Sequence, residues 1–307
     1  MSHRKKLREL IASPELLVLP GAYDALSARI IAAQGFSAVA AGGYAAIGSL
    51  LGQADMGQSN MRDYADHYGR ICDAVDLPVY VDADTGFGGV HNLRQAVRAF
   101  ENAGVAGMFI SDQVFPNRCG YLSGKDVIAV EEMLAKVKAA VDARRDPDLF
   151  ICIRTDAASV LGVDAAIERC RLFMEAGADM AKPQGLDRPD EIARALREIP
   201  GPHFATLSQA AGASDMTLAR LQALGVAGVT LPSLALFAAA EGVRQAMARL
   251  KRGDPLDSLA GGLIALDDYY QLVGLAGMNA RETGYADQAR QTLAQRAADR
   301  QALIANH

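Results

Sequence analysis

The feature that most constrains the fold of this chain is a repeated unit, in which an amphipathic helix ends at a glycine and a short apolar strand follows. Four copies are clear, with glycines at Gly35, Gly104, Gly177 and Gly225. Glycine often follows the last residue of a helix, because it adopts the left-handed backbone conformation without a steric penalty. Further apolar runs bring the predicted strands to eight: Leu16–Leu19, Ser37–Ala41, Val79–Asp82, Val105–Ile110, Leu149–Arg154, Ala178–Lys182, His203–Leu207 and Val226–Leu231.

The alternation of these strands with alanine-rich helices indicates how the strands are arranged. Each strand is short and continuously apolar, which is typical of parallel strands buried on both faces. Eight strand–helix units within about 250 residues predict an α/β fold, the (β/α)8 or TIM barrel. An open doubly wound sheet is the alternative, but the chain has no Gly-x-Gly-x-x-Gly followed by a distal acid. We assign residues 1–255 to the barrel.

Residues 256–307 form a predicted helical extension. Its segment Leu263–Leu275 is apolar and aromatic, and a closed barrel does not need it. Because such a surface must be buried, we expect this helix to pack on a neighbouring subunit. The polar segment Ala286–His307 is expected to be a peripheral helix or a frayed end.

Composition excludes several classes of function. The formal net charge of -5 argues against a nucleic-acid-binding surface. The four cysteines are scattered without Cys-x-x-Cys spacing, and no signal peptide or long apolar span is evident. We therefore expect a cytoplasmic protein with free cysteines, no membrane contact and no nucleic-acid partner.

The segment after the third predicted strand carries two neighbouring acids and three glycines, in Asp82-Ala83-Asp84-Thr85-Gly86-Phe87-Gly88-Gly89. Residues at i and i+2 of a strand face the same side, so we expect Asp82 and Asp84 to emerge together. Such a pair suits a hard cation such as Mg²⁺, which prefers oxygen ligands. The equally weighted alternative is a helix-capping aspartate beside a solvated one, since Asp-x-Asp is a weak motif.

Polar residues also gather where the other predicted strands end, and the carboxyl ends of the strands are where barrels place their active sites. We therefore predict an enzyme that acts on a small molecule. The clusters are Tyr23-Asp24, Gly42-Gly43-Tyr44, Asp82-Ala83-Asp84, Ser111-Asp112-Gln113, Arg154-Thr155-Asp156, Lys182-Pro183-Gln184 and Ser208-Gln209.

Several motifs in chain order resemble the isocitrate lyase and phosphoenolpyruvate mutase superfamily, from about Leu19 to Arg252. Within it, the nearest branch resembles methylisocitrate lyase and 2,3-dimethylmalate lyase. The motifs are Leu19-Pro20-Gly21-Ala22-Tyr23-Asp24, Val81-Asp82-Ala83-Asp84-Thr85-Gly86-Phe87-Gly88, Asp112-Gln113, Arg118-Cys119-Gly120, Asp146-Pro147-Asp148 and Arg154-Thr155-Asp156-Ala157.

The resemblance implies a Mg²⁺-dependent barrel whose eighth helix is exchanged between the subunits of a dimer, so we expect a helix-exchanged homodimer or a homotetramer. It implies a lyase that cleaves a C–C bond of a 2-hydroxy acid, giving a 2-oxo acid and a carboxylic acid. The alternatives within the superfamily are an oxaloacetate-type decarboxylase or C–C hydrolase and a carboxyphosphonoenolpyruvate mutase-like enzyme. An alternative of another class is a barrel that binds a metabolite without turning it over.

Individual roles follow from the same resemblance. Asp82, Asp84 and Asp55 match the acids of the metal site, and Asp84 also matches a substrate contact. Gly42 and Gly43 match the turn whose amides hold the substrate carboxylate.

Further roles concern the other side of that site. Arg154 matches an arginine that binds the same carboxylate through two parallel hydrogen bonds. Cys119 matches the proton donor of the lyase branch, which the mutases lack, with Gly120 and Tyr121 beside it as substrate contacts. Tyr44 is our choice of general base, because the family tyrosine is replaced by Val39.

The chain departs from the family pattern at several positions. Replacement of an arginine by Phe237 would leave a distal substrate carboxylate unpaired, so we expect a tail less charged than that of isocitrate. The loss of acids is expected to weaken Mg²⁺ binding. The changed positions are Val39, Ala41, Ser111, Tyr121, Thr206, Gln209, Phe237 and Gln184, the last preceded by Lys182.

Overall fold

The computed structural model describes residues 1–120, 122–186, 188–208 and 216–305. The chain divides into two compact units, Met1–Arg244 and Gln245–His307. The predicted division between residues 255 and 256 falls later in the chain than this one.

The described residues of the first unit include eight parallel strands, each within two residues of its predicted bounds. They are β1 (Leu17–Pro20), β2 (Val39–Ala41), β3 (Val79–Asp82), β4 (Gly107–Ser111), β5 (Phe150–Thr155), β6 (Met180–Pro183), β7 (Phe204–Thr206) and β8 (Gly228–Leu231).

The strands close into a barrel in chain order. One parallel ladder runs β2-β3-β4-β5-β6 and a second runs β1-β8-β7. A parallel bridge between Gly21 and Ala40 joins the ladders on one side. On the other side, the Lys182 ammonium of β6 donates to the Thr206 hydroxyl of β7 over 2.8 Å. The predicted (β/α)8 barrel is confirmed.

Helices connect successive strands. In the first unit they are α1 (His3–Ala12), α2 (Ala25–Ala33), α3 (Gly43–Leu51), α4 (Met61–Ala74), α5 (Val90–Asn102), α6 (Val130–Ala143), α7 (Ala157–Val160), α8 (Val163–Glu175), α9 (Pro189–Glu198) and α10 (Leu218–Leu224). The helix α11 (Leu234–Lys251) continues into the second unit.

The four glycines that mark the repeated unit lie where the pattern requires them. Their φ angles are 83° at Gly35, 89° at Gly104, 106° at Gly177 and 83° at Gly225. A residue with a side chain would be strained in this region, so the glycine stops the helix and turns the chain toward the next strand.

The hydrophobic core has two layers. Inside the barrel, Tyr80, Phe150, Met180 and Phe204 are buried together, and Leu7 of α1 packs among them. Outside it, a larger cluster fills the space between the strands and the surrounding helices. The side chains of the inner layer fill the interior of the barrel below the carboxyl ends of the strands. A ligand site therefore lies at the carboxyl ends, above this packed layer.

The second unit contains α12 (Leu256–Ala260), α13 (Leu266–Val273) and α14 (Leu275–Ala305). The predicted helix Leu263–Leu275 is shorter than expected, because Gly274 adopts φ 77° and ends it after Val273. The predicted polar end segment belongs to α14 as far as Ala305. Among the described residues, no helix combines the length and apolarity needed to cross a membrane.

The outer layer generates a stability prediction at Phe100. This side chain is fully buried and its ring makes edge contacts with Tyr68 and Phe87. Because the cavity left by truncation cannot collapse fully, Phe100→Ala should lower the free energy of unfolding by about 3–5 kcal/mol. Exposed Leu161 provides the control, where Leu161→Ala should change it by less than about 0.5 kcal/mol. Denaturant unfolding measures both, and equal effects would contradict this packing.

Candidate active site

A cavity of about 450 Å³ opens at the carboxyl ends of the strands. It brings together eight of the residues predicted from the sequence: Gly42, Gly43, Tyr44, Asp55, Asp82, Cys119, Gly120 and Arg154. The predicted Asp84 is buried but does not line the cavity. The predicted contact Tyr121 lies outside the described residues.

Asp82 occupies the last position of β3 and is held by backbone groups. The amide of Gly43 donates to Asp82 Oδ2 over 3.2 Å, and the amide of Asp84 donates to Oδ1 over 2.8 Å. The hydroxyl of Tyr68 donates to the carbonyl of Asp82 over 2.9 Å. These contacts fix the carboxylate at the cavity wall.

The sequence predicts that Asp82 and Asp84 emerge on the same side of one strand. The structure shows a different arrangement. The strand ends at Asp82, and Asp84 has a left-handed φ of 52°. The chain therefore turns between the two residues, and Asp84 Oδ1 accepts from the amide of Thr85 over 2.5 Å. The acids are neighbours, but Asp84 lies behind the cavity wall instead of facing the cavity beside Asp82.

Crowding of buried carboxylates changes their protonation. Burial raises the pKa of Asp55 to about 6 and the pKa of Asp84 to about 7, and the charge of Asp82 adds to both shifts. Burial also raises the pKa of Asp82, although the guanidinium of Arg154 opposes this. A cation placed among these groups would relieve their repulsion.

The donor chemistry fits a hard divalent cation. Asp55 and Asp82 are carboxylates that line the cavity, and Asp84 is buried close to Asp82 in the chain. Across the described ranges, no three His, Cys, Asp or Glu side chains converge as a ready-made metal cage. Mg²⁺ commonly uses one or two carboxylates and completes its shell with water or substrate oxygens. The residues present fit a Mg²⁺ ion bound in that way.

The turn at Gly42 and Gly43 begins α3 against the carboxylate of Asp82. A Cβ atom on Gly43 would lie 3.1 Å from both Asp82 Oδ2 and the Tyr64 hydroxyl. Glycine therefore allows the backbone amide to reach the carboxylate. The amino end of a helix favours anions, so a ligand carboxylate suits this side of the cavity.

Arg154 provides a buried positive charge near the end of β5. Its Nε donates to Asp156 Oδ2 over 2.9 Å, and Nη2 donates to the Ser111 hydroxyl over 3.4 Å. Its guanidinium also lies over the Phe109 ring, 5.3 Å from the ring centre. Burial lowers the pKa of Arg154, but the charges of neighbouring Asp156 and Asp82 raise it by more. The pKa is therefore raised overall, and the side chain stays charged.

Asp156 belongs to the motif Arg154-Thr155-Asp156-Ala157, but no role was predicted for it from the sequence. Its carboxylate accepts from Arg154 on one side and from the ammonium of Lys125 over 3.0 Å on the other. Burial raises the pKa of Asp156, but the charges of Arg154 and Lys125 lower it by more, so the pKa stays below its ordinary value. The signal in the sequence for a role of Asp156 was an acid two residues after Arg154, at the end of the same predicted strand.

Asp112 organises the base of the site although it does not line the cavity. Its carboxylate accepts from the Thr155 hydroxyl over 2.5 Å, from the Asp156 amide over 2.9 Å and from Arg169 Nε over 2.9 Å. These bonds tie β4 to β5 and to α8. They set the backbone position of Asp156 and thereby the position of Arg154.

The segment that carries Cys119 is fastened across the cavity. The side chain of Gln113 accepts from the amide of Arg118 and donates to its carbonyl, each over 3.0 Å. Lys125 donates to the carbonyl of Gly120 as well as to Asp156. Partly exposed Cys119 is therefore presented to the cavity from a loop attached at both ends.

Tyr44, the predicted base, lies at the same side as Cys119. Burial raises its pKa, and the charges of Cys119 and Asp55 raise it further. The ring of Tyr44 meets that of Phe237 edge to face, with centres 6.0 Å apart. A raised pKa disfavours the phenolate, so a smaller fraction of Tyr44 is in the basic form in the free protein than for a tyrosine in water.

Lys182 is a cavity residue to which the sequence reasoning gave no role. It is only 5% exposed, and burial lowers its pKa to about 8. The signal in the sequence was a lysine inside an otherwise apolar strand.

The fold and site define a class of barrel enzymes, and comparisons with known proteins identify it. The phosphoenolpyruvate phosphomutase family model matches residues 7–251. The chain belongs to the phosphoenolpyruvate mutase/isocitrate lyase superfamily.

Two relatives are lyases by name. The 2,3-dimethylmalate lyase of Eubacterium barkeri is 35% identical over 93% of this chain and 99% of its own length. A probable 2-methylisocitrate lyase 2 of Corynebacterium glutamicum is 38% identical over 80% of this chain and 79% of its own.

Two solved structures match nearly the whole chain. Oxaloacetate acetylhydrolase in complex with the inhibitor 3,3-difluorooxalacetate has a TM-score of 0.88 at 30% identity, covering 93% of this chain and 97% of its own. Phosphonopyruvate hydrolase in complex with oxalate and Mg²⁺ has a TM-score of 0.83 at 27% identity, covering 93% and 99%.

The packing of the Cys119 loop generates a prediction at Gly57. A Cβ atom there would lie 2.7 Å from the carbonyl oxygen of Asn117, whereas nothing lies within 4 Å of one on Gly52. Both glycines have positive φ, 70° and 62°. Gly57→Ala and Gly52→Ala should therefore carry similar backbone strain, about 1 kcal/mol, but only Gly57→Ala should displace the loop.

Amide hydrogen exchange of residues 114–125 measures that displacement. We expect exchange about tenfold faster in Gly57→Ala and unchanged in Gly52→Ala. Equal exchange in the two variants would show that the loop does not rest on Gly57.

Proposed function

We propose that this protein is a Mg²⁺-dependent lyase that cleaves a C–C bond of a 2-hydroxy acid, giving a 2-oxo acid and a carboxylic acid. The observation that carries this proposal is a single cavity shared by Asp82, Arg154 and Cys119. An acid, a fixed guanidinium and a thiol on an anchored loop supply cation binding, carboxylate binding and proton donation at one place. The lyase names of the two relatives support the same chemistry.

The head of the substrate binds between the start of α3 and β5. Its carboxylate accepts from Arg154, whose planar guanidinium fixes its orientation, and from the Gly42-Gly43 turn, where the Gly43 amide is shared with Asp82. Asp156 and Ser111 hold that guanidinium in place. We assign Asp55, Asp82 and Asp84 to the Mg²⁺ site, with Asp84 acting from behind. When bound, the ion supplies positive charge that lowers the pKa of the substrate hydroxyl.

Cleavage moves two protons and one bonding pair. The hydroxyl proton goes to a base, for which the phenolate form of Tyr44 is our choice, and the hydroxyl carbon becomes a carbonyl. The C–C bonding pair leaves with the departing fragment as a carbanion or enolate. Cys119 donates its thiol proton to that carbon, and we assign Gly120 and Tyr121 as substrate contacts beside it.

The tail of the substrate carries less charge than that of isocitrate. Phe237 places an aromatic ring against Tyr44 at the cavity wall, where an apolar or small tail group fits. Methyl-substituted C4 acids therefore suit the cavity better than tricarboxylates.

A second candidate is hydrolytic cleavage of an oxaloacetate-type 2-oxo acid. The TM-score of 0.88 with oxaloacetate acetylhydrolase favours it among the superfamily alternatives. The same head site serves both reactions, and they differ in whether water supplies an oxygen to the product. A carboxyphosphonoenolpyruvate mutase-like reaction and binding without turnover are the remaining alternatives.

The proposal also covers the assembly of the protein and its location in the cell. The second unit exposes apolar side chains, with Leu266 64% and Leu293 69% accessible. These support packing of residues 256–307 on a neighbouring subunit, in helix-exchanged dimers that form a homotetramer. The charge and cysteine pattern supports a cytoplasmic location.

The role of Cys119 gives one prediction. Cys119→Ser should lower kcat about 10²- to 10⁴-fold without changing the melting temperature, because a hydroxyl is a much weaker acid than a thiol. The control is Cys72→Ser, since Cys72 lies away from the cavity and burial raises its pKa to about 12. Steady-state assays of both variants decide the matter, and normal turnover by Cys119→Ser would exclude the proposed proton donor.

Substrate and metal dependence give another prediction. We expect pyruvate release from 2,3-dimethylmalate in the presence of Mg²⁺, loss of release after chelation with EDTA, and recovery when Mg²⁺ is restored. Isocitrate and 2-methylisocitrate should be poor substrates, because their extra carboxylate meets no arginine at Phe237. Efficient turnover of either tricarboxylate would refute the tail assignment. Activity that persists after chelation would refute the metal requirement.

A further inference from the structure

The side of the cavity opposite Asp82 contains a second buried cation. In the strand register, Lys182 of β6 lies beside Arg154 of β5, which in turn lies beside Ser111 of β4. Lys182 and Arg154 thus stand at one level of the barrel, and both line the cavity. Among the described residues Lys182 forms no ion pair, and its ammonium donates to the Thr206 hydroxyl.

Other polar groups line the cavity around this lysine. The hydroxyls of Thr206 and Thr230 lie 3.1 Å apart, so a short chain of donors and acceptors crosses β6, β7 and β8. The hydroxyl of Tyr80 is buried beside the Cys152 thiol and makes no hydrogen bond to a described nitrogen or oxygen atom. A buried cation without an ion-pair partner is costly, unless a ligand supplies the missing partner.

The proposed position of the head carboxylate determines where the tail of the substrate lies in the cavity. If the head carboxylate binds at Gly43 and Arg154, the tail extends across the cavity toward β6–β8. We infer that Lys182 binds a single carboxylate on the substrate tail and selects 2-hydroxy dicarboxylates over monocarboxylates. This rests on the proposed head site and deepens it, because one tail carboxylate is still one fewer than isocitrate has.

The protonation state of Lys182 agrees with this role. Burial lowers its pKa to about 8, so the ammonium form predominates at neutral pH, and a bound carboxylate would raise the pKa again. The charged or titratable groups around it are Cys152, Arg154 and Asp156 from β5 and its end, Asp82 from β3, and His203 before β7.

Two acids of similar shape test the inference by calorimetry with Mg²⁺ present. Malate carries a tail carboxylate, and 2-hydroxy-4-methylpentanoate carries an isopropyl group in its place. The wild-type protein should bind malate about 10- to 100-fold more tightly. Lys182→Met should abolish this preference by weakening malate binding, and Lys182→Arg should retain it. Lys136→Met is the matched control, because Lys136 is equally buried but does not line the cavity.

A pH series separates charge recognition from a structural role. In the wild-type protein the preference for malate should fall as the pH rises through about 8, because the ammonium loses its proton. In Lys182→Arg it should stay constant, since guanidinium does not titrate there. Taking the ratio of the two affinities cancels the titration of groups that act on the common head.

The outcomes are separable. Equal binding of the two acids by the wild-type protein, or an unchanged preference in Lys182→Met, would overturn the role of Lys182 and leave the head site standing. Binding of neither acid would overturn the proposed head site, and the inference with it.

Discussion

The site depends first on the buried pairing of Arg154 with Asp156. Asp156 holds the guanidinium at the cavity and also accepts from Lys125, so the carboxylate-binding group and the Cys119 loop share one anchor. Removing one partner of such a buried pair typically costs about 3–5 kcal/mol, because the other charge is left without compensation. Asp112 fixes the backbone of Asp156 from below. A single chain of contacts thus couples barrel, head site and loop.

Around this pair the barrel separates two electrostatic environments. Toward β2 and β3, three aspartates crowd together and their pKa values rise, which favours a divalent cation. Toward β6–β8, Lys182 stands among hydroxyl groups, which favours an anion. A substrate with an acidic head and a short tail can span both. The fold makes this possible because parallel strands end at the same rim.

Much of the molecule could be predicted from the sequence, since local rules dominate there. Glycines such as Gly104 and Gly177 stop helices by backbone geometry alone, and the apolar runs after them are too short for anything but buried strands. Strand ends of a barrel converge, so residues as distant as Asp82 and Arg154 could be assigned to one site. The assigned roles themselves stay predictions.

Other features depend on hydrogen bonds and packing contacts that the strand and helix patterns do not contain. The left-handed turn at Asp84 is stabilised by bonds to Asp82 and Thr85, so the strand rule did not apply there. Lys182 looked like a departure from a motif, and its significance arises only from Thr206 and Arg154 beside it in the barrel. The close packing of Gly57 on Asn117 joins segments that are far apart in sequence.

The central claim is that a divalent cation and an acid head bind together between Asp82 and Arg154. The most direct measurement is a crystal structure with Mn²⁺ and oxalate, using anomalous scattering to locate the metal. The account predicts an anomalous peak beside the Asp82 carboxylate, with oxalate bridging the metal and the Arg154 guanidinium. A peak elsewhere, or oxalate bound without contact to Arg154, would contradict it.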